Sequence, residues 1–169
     1  MEKTRGPAYR QAGFTLIEIL IVIGIIAILA AVVVIAINPA KQFAQARNTQ
    51  RESNVNAILN AIGQRMADNK GVFAGTFGPY TCPALPVATS TIMNGTGEVP
   101  VGAVTPTEKV NLECLTPTYL PSFPFDPAFG TESYTGYTLR MDEVGRVLVC
   151  APGGAEPSVL GSKAVCVKR

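Results

Sequence analysis

The chain has no histidine among its 169 residues. That removes the Ser/His and Cys/His pairs on which most nucleophilic hydrolysis depends, and also the mixed Cys/His zinc sites. Four cysteines are present, Cys82, Cys114, Cys150 and Cys166, but no two form a CxxC pair, so a tetrahedral metal site is not expected. Neither a Walker A loop nor a GxSxG elbow occurs. Asp126, Asp142 and Glu143 lack a spacing that would mark an active site. Charge is scarce: 14 basic and 12 acidic residues leave a net +2, too little for a binder that relies on bulk attraction to polyanions. A non-enzymatic protein with no cofactor, no metal and no specific nucleic-acid partner is expected.

What the sequence has instead is GFTLIEILIVIGIIAILAAVVVIAINP, from Gly13 to Pro39. Nineteen uncharged residues run from Ile19 to Ile37, about 29 Å of helix at 1.5 Å per residue, close to the ~30 Å hydrocarbon core of a bilayer. Lys3, Arg5 and Arg10 outweigh Glu2 ahead of this run and account for the whole of the net charge. The positive-inside rule therefore places residues 1–13 in the cytoplasm and the cysteines outside it. An extracytoplasmic location agrees with two disulfides. Three connectivities are possible; the pairing of sequence neighbours, Cys82 with Cys114 and Cys150 with Cys166, has a modest edge.

Glu18 is the anomaly, because a carboxylate in a membrane segment costs about 2.5–3.5 kcal/mol at the bilayer centre and is usually paired or functional. A cut between Gly13 and Phe14 would supply the partner: a free α-amino group four residues before Glu18, in the same subunit or a neighbouring one. Such a pair would also fix axial register between parallel helices. A Sec signal peptide with a site in the Ala-rich stretch 27–36, or a plain signal anchor, would use the same run without explaining Glu18.

A basic leader ending in Gly13, then Phe14 and an apolar run with Glu fifth after the glycine, resembles the class III signal of type IV pilins and type II secretion pseudopilins. The resemblance implies cleavage after Gly13 by a prepilin peptidase, methylation of the Phe14 amine, and a docking role for Glu18. It implies a pilin-like α+β fold, a long N-terminal helix packed on a small antiparallel sheet. The expected parts are a leader at 1–13, a membrane and assembly half-helix at 14–38, an amphipathic half-helix at 39–70 and a disulfide-bonded head at 71–169. Many pilins have a helix-loosening proline nearer the middle of the apolar run; here Gly24 lies inside it and Pro39 ends it, so these are the expected points of flexibility.

After Pro39 helical spacing returns. Val55, Ile58, Leu59, Ile62 and Met66 form one stripe, with Arg51, Asn56, Asn60, Gln64 and Asp68 assigned to the opposite face. Lys70-Gly71 is the expected stop. Residues 71–106 read as loop and short extended pieces, 106–115 as a short helix, and Phe123, Phe125 and Phe129 as core aromatics. Alternation at 137–141 and 146–150 around the turn residues 142–145 predicts a hairpin, and 164–168 a further strand. Asp142 and Glu143 could hold calcium, although a solvated turn is the commoner case. Asn94-Gly95-Thr96 matches a glycosylation sequon.

The functional expectation is a structural subunit that joins copies of itself in a helical filament. Its partners would be the prepilin peptidase, the pilus assembly machinery and the membrane. The subunit would lie in the cytoplasmic membrane before assembly and in an extracellular filament afterwards. A secretion pseudopilin and a membrane-anchored extracytoplasmic binding domain are the alternatives. An anchored domain predicts an uncleaved leader and indifference to Glu18→Ala.

Overall fold

The structure is a computed structural model and describes residues 13–96, 98, 106 and 108–169, so the leader expected at 1–13 lies outside the described residues apart from Gly13. The chain divides into two compact units, Met1–Pro39 and Ala40–Arg169.

The first unit is helix α1, Leu16–Ala36. Thr15 caps it from an extended conformation, its Oγ1 accepting the Glu18 N–H at 3.3 Å. Leu16–Val34 is long and apolar enough to cross a membrane, and none of it is covered by the chain itself. The helix stops where a local opening was expected. Ile37 turns extended at φ −99° and ψ 100° while its N–H still bonds Val33. Pro39 lacks an N–H and disfavours helix at Asn38, but it suits the first position of the next helix.

Helix α2, Pro39–Asp68, packs in the second unit. Val55, Ile58, Leu59 and Ile62 are buried, and Met66 packs at the edge of the same core. Arg51 departs from its expected place: it is fully buried. The reason is geometric, because Arg51 precedes Val55 by four residues and so extends the buried stripe. Arg65, three residues after Ile62, is buried for the same reason, its guanidinium donating to the Phe73 and Gly75 carbonyls and lying over the Phe73 and Phe77 rings. The helix ends as Gly71 N–H bonds the Met66 carbonyl at 2.7 Å, with Lys70 and Gly71 both at positive φ. Lys70 thus occupies the left-handed position that glycine more often fills.

Beyond α2 a ribbon of β1 (Gly75–Phe77) and β2 (Tyr80–Cys82) precedes β3 (Ser90–Met93), β4 (Lys109–Asn111), β5 (Tyr134–Met141), β6 (Val147–Ala151) and β7 (Val165–Lys168). The ribbon is a two-stranded sheet of its own, and the other five strands form one sheet in the order β4-β3-β5-β6-β7. It is antiparallel except at β4, which runs parallel to β3. Ser90–Met93, a short extended piece of the kind expected within 71–106, is a buried strand next to the central β5. Two expectations need correction. The helix expected at 106–115 is β4 followed by a 3-10 turn at Glu113–Leu115. Of the three phenylalanines only Phe123 is buried; Phe125 and Phe129 are exposed.

The core lies between α2 and one face of the sheet, where Ile92, Tyr137, Leu139 and Val149 meet the α2 stripe. Two disulfides close it. Cys82–Cys114 ties β2 to the 3-10 turn after β4, and Cys150–Cys166 joins directly paired residues of β6 and β7. Each closed loop removes freedom from the unfolded chain, by about 2–4 kcal/mol in typical cases.

Candidate functional site

The residues singled out at the N-terminus stay together at the start of α1. Gly13, Phe14 and Thr15 precede the helix in non-helical backbone, and Glu18 sits in its first turn. All four are exposed. A Cβ added at Gly13 would meet nothing within 4 Å, so packing within this chain does not require glycine there. The same holds for Gly24 in the middle of α1.

Thr15 is the residue the sequence reading missed. Thr15-x-x-Glu18 before an apolar run is the signature of a capping box, in which the N-cap hydroxyl accepts the N3 amide. The structure shows that hydrogen bond, together with Ile19 N–H to the Thr15 carbonyl at 3.3 Å. Glu18 therefore has a local reason for its place, because a carboxylate in the first turn interacts favourably with the positive end of the helix dipole. That effect is worth about 0.3–1 kcal/mol, well short of the cost of an ionised carboxylate at the centre of a bilayer. The cap alone does not account for Glu18 if the helix end enters the membrane.

A second charged group lies in the head. Arg51 donates to both oxygens of Asp126, at 2.7 and 3.1 Å, and to Glu156 Oε1 at 2.6 Å. Asp126 Oδ1 also accepts the Ala128 and Phe129 amides, which fixes the loop between β4 and β5. Arg47 grips Glu156 through two hydrogen bonds of 2.7 and 2.8 Å. Gly153 is required here: a Cβ would lie 2.9 Å from Asp126 Oδ2 and 3.1 Å from Arg51. Each ionic partner is hydrogen-bonded, the condition under which buried charges are tolerated. Nearby, burial pushes the Tyr137 hydroxyl up to about 12, while the hydrogen bond from Asn54 opposes it. The group joins α2 to the two loops flanking the β5–β6 hairpin and has the character of a structural clamp.

A pH dependence follows. The Arg47 hydrogen bond holds the Glu156 carboxyl down at about 2 from an ordinary 4.5, with burial opposing and Arg51 adding to the effect. Asp142 is held well below the usual carboxylate range by Lys168 first, then by the Arg146 amide. A depressed carboxyl stabilises the folded state fully above its unfolded value and loses that contribution as pH falls through the folded one. The unfolding midpoint of the head is therefore expected to hold from pH 8 to about 5 and to fall as the pH drops from about 4.5 to about 2. Thermal scans across that range check it, and Glu156→Gln should reduce the loss.

The remaining candidates are used structurally. Asp142, considered for calcium, has one oxygen on Lys168 and Arg146 and the other on the Val144 and Arg146 amides. Among the described residues no group of three His, Cys, Asp or Glu is placed to hold a metal. Asn94 of the sequon donates its side-chain amide to the Glu132 carbonyl.

Neither the curated proteins nor the solved structures gave a match to the chain. Residues 9–34 match the prokaryotic N-terminal methylation motif, a stretch that contains Gly13, Phe14, Thr15 and Glu18 and most of α1. The chain thus carries, ahead of a disulfide-bonded α+β head, the class III signal of type IV pilins and pseudopilins.

Proposed function

We propose that this protein is a prepilin, cleaved between Gly13 and Phe14, methylated on the new amine and polymerised into a type IV pilus-like filament. The observation that carries the proposal is α1. The methylation motif runs into a helix whose described side chains are apolar and exposed apart from the polar Glu18 and the bare Gly24, and the chain covers none of its membrane-length stretch. Such a surface has two suitable environments, lipid before assembly and parallel copies of the same helix afterwards. Gly13 would be the residue read at the cut, Phe14 would supply the positive terminus, and Glu18 would pair with that terminus in a neighbouring subunit. Gly24 and the break at Ile37–Pro39 are the points where the helix would adjust during extraction from the membrane.

The parts of the subunit follow the same division. Residues 14–38 form the membrane and assembly segment, and α2 with residues 71–169 presents the head outside the membrane. No step of this function needs a catalytic group in the chain itself.

The test is intact mass and N-terminal sequencing of the protein recovered from native membranes and from sheared surface material. The expected result is a chain beginning at N-methylated Phe14 in both fractions. A product beginning at Met1, or one cut within residues 27–36, would replace this proposal with an anchored or secreted head. Processed protein confined to the membrane fraction would favour a short secretion pseudopilus.

A further inference from the structure

The bond proposed for cleavage lies just ahead of a helix. Gly13 and Phe14 are exposed and non-helical, and α1 begins immediately after Thr15. Thr15 is itself extended, at φ −80° and ψ 149°; its Oγ1 accepts the Glu18 N–H and its carbonyl accepts the Ile19 N–H. Among the described residues, no amide of α1 bonds the Gly13 or Phe14 carbonyl.

The chemistry of hydrolysis makes the place of that boundary matter. Water adds across the Gly13–Phe14 C–N bond, leaving a carboxylate on Gly13 and an amine on Phe14. As water attacks, the Gly13 carbonyl oxygen takes up negative charge and must meet donors supplied by the peptidase. Were α1 to begin two residues earlier, that oxygen would accept the Ile17 N–H and the Phe14 carbonyl would accept the Glu18 N–H, as i→i+4 bonding requires. The scissile peptide would then be part of the helix. Apolar surroundings favour such an extension, because each open N–H at a helix end is costly there. Glycine at 13 disfavours helix but does not set its first residue. Thr15 does, by giving the Glu18 N–H a partner that competes with the Phe14 carbonyl and that is in reach while Thr15 stays extended.

We infer that Thr15 is a positioning residue for removal of the leader: its cap holds the Gly13–Phe14 peptide outside α1, with the Gly13 carbonyl open to the peptidase. This rests on the cleavage proposed above. Thr15 acts through the backbone and needs no contact with the enzyme.

Two variants of the full chain separate capping from recognition of the side chain. Thr15→Val keeps the shape and loses the acceptor; Thr15→Asn changes the shape and keeps an acceptor strongly preferred at N-caps. Each would be reconstituted with a purified prepilin peptidase in phosphatidylcholine–phosphatidylglycerol vesicles, and release of the leader followed by mass. For Thr15→Val, kcat/KM is expected to fall about fivefold, the ratio that corresponds to the ~1 kcal/mol of an N-cap. The loss should appear in KM, because a smaller share of the substrate has the form the peptidase binds. Thr15→Asn should be cleaved as the unaltered chain is. Cleavage of Thr15→Val at the unaltered rate would overturn the inference. So would a Thr15→Asn chain as slow as Thr15→Val, since the peptidase would then be reading the threonine itself. An unaltered chain that is not cut after Gly13 would overturn the proposed processing and the positioning role with it.

Discussion

Replacing Glu18 with alanine is expected to leave the protein in the membrane and to reduce recovered filament at least about tenfold, the factor that corresponds to 1.4 kcal/mol. Removal of one partner from a buried ion pair costs about 3–5 kcal/mol, because the other charge is left uncompensated. In the proposed filament that other charge is the Phe14 amine of a neighbouring subunit. Membrane insertion should improve slightly, since a costly carboxylate is gone. The side-chain half of a capping box, in which residue 18 reaches back to the Thr15 N–H, supplies a competing explanation, which a second variant separates. Glu18→Gln keeps a side chain able to make that contact, but it removes the charge. If filament yield fails equally in both variants, the charge matters; if Gln restores assembly, Glu18 acts as part of a cap and the register account is wrong. Thr15→Ala gives the size of the cap alone, about 1 kcal/mol of helix stability.

The second large effect is expected in the head. Arg51→Met should destabilise it by about 3–5 kcal/mol, the usual cost of breaking a buried ion pair from one side. Asp126 and Glu156 would both lose their shared partner while remaining buried. Against a typical domain stability of about 5–15 kcal/mol, that is enough to bring a small head near its limit. Arg51→Lys should not rescue it, because an ammonium cannot reproduce the two-pronged contact with Asp126 and still reach Glu156. Chemical denaturation with both disulfides intact measures the change. A loss below about 1 kcal/mol, the range of exposed ion pairs, would show that the group is solvated and that its role as a clamp is mistaken.

Arg51 also shows why some of this structure could not be read from the chain. Its position, four residues before Val55, placed it on the buried stripe; its chemistry suggested the opposite face. The partners that reconcile the two, Asp126 and Glu156, lie 75 and 105 residues away, and local sequence contains no record of them. Asp126 explains the exposed phenylalanines by the same route. Its carboxylate is held inward by Arg51 and by the amides of Ala128 and Phe129, while Phe125 and Phe129 on either side keep their rings exposed. Within 71–106 the sequence allowed short extended pieces without placing them, since a four-residue strand such as Ser90–Met93 acquires its identity from β4 and β5 beside it.

By itself the sequence determined the elements whose signals are local. The membrane-length run, the break before Pro39, the amphipathic stripe of α2, the hairpin around 142–145 and the processing motif all follow from hydrophobic period, proline and glycine chemistry, and charge placed within a few residues. Only the tertiary structure decided what depends on partners distant in sequence: the parallel placement of β4, the buried Arg51 group, the fate of the loop aromatics and which cysteines meet. Local signals survive in a one-dimensional string because neighbours in the chain are always neighbours in space. Burial of a charge or closure of a sheet is set by the groups that folding brings opposite it.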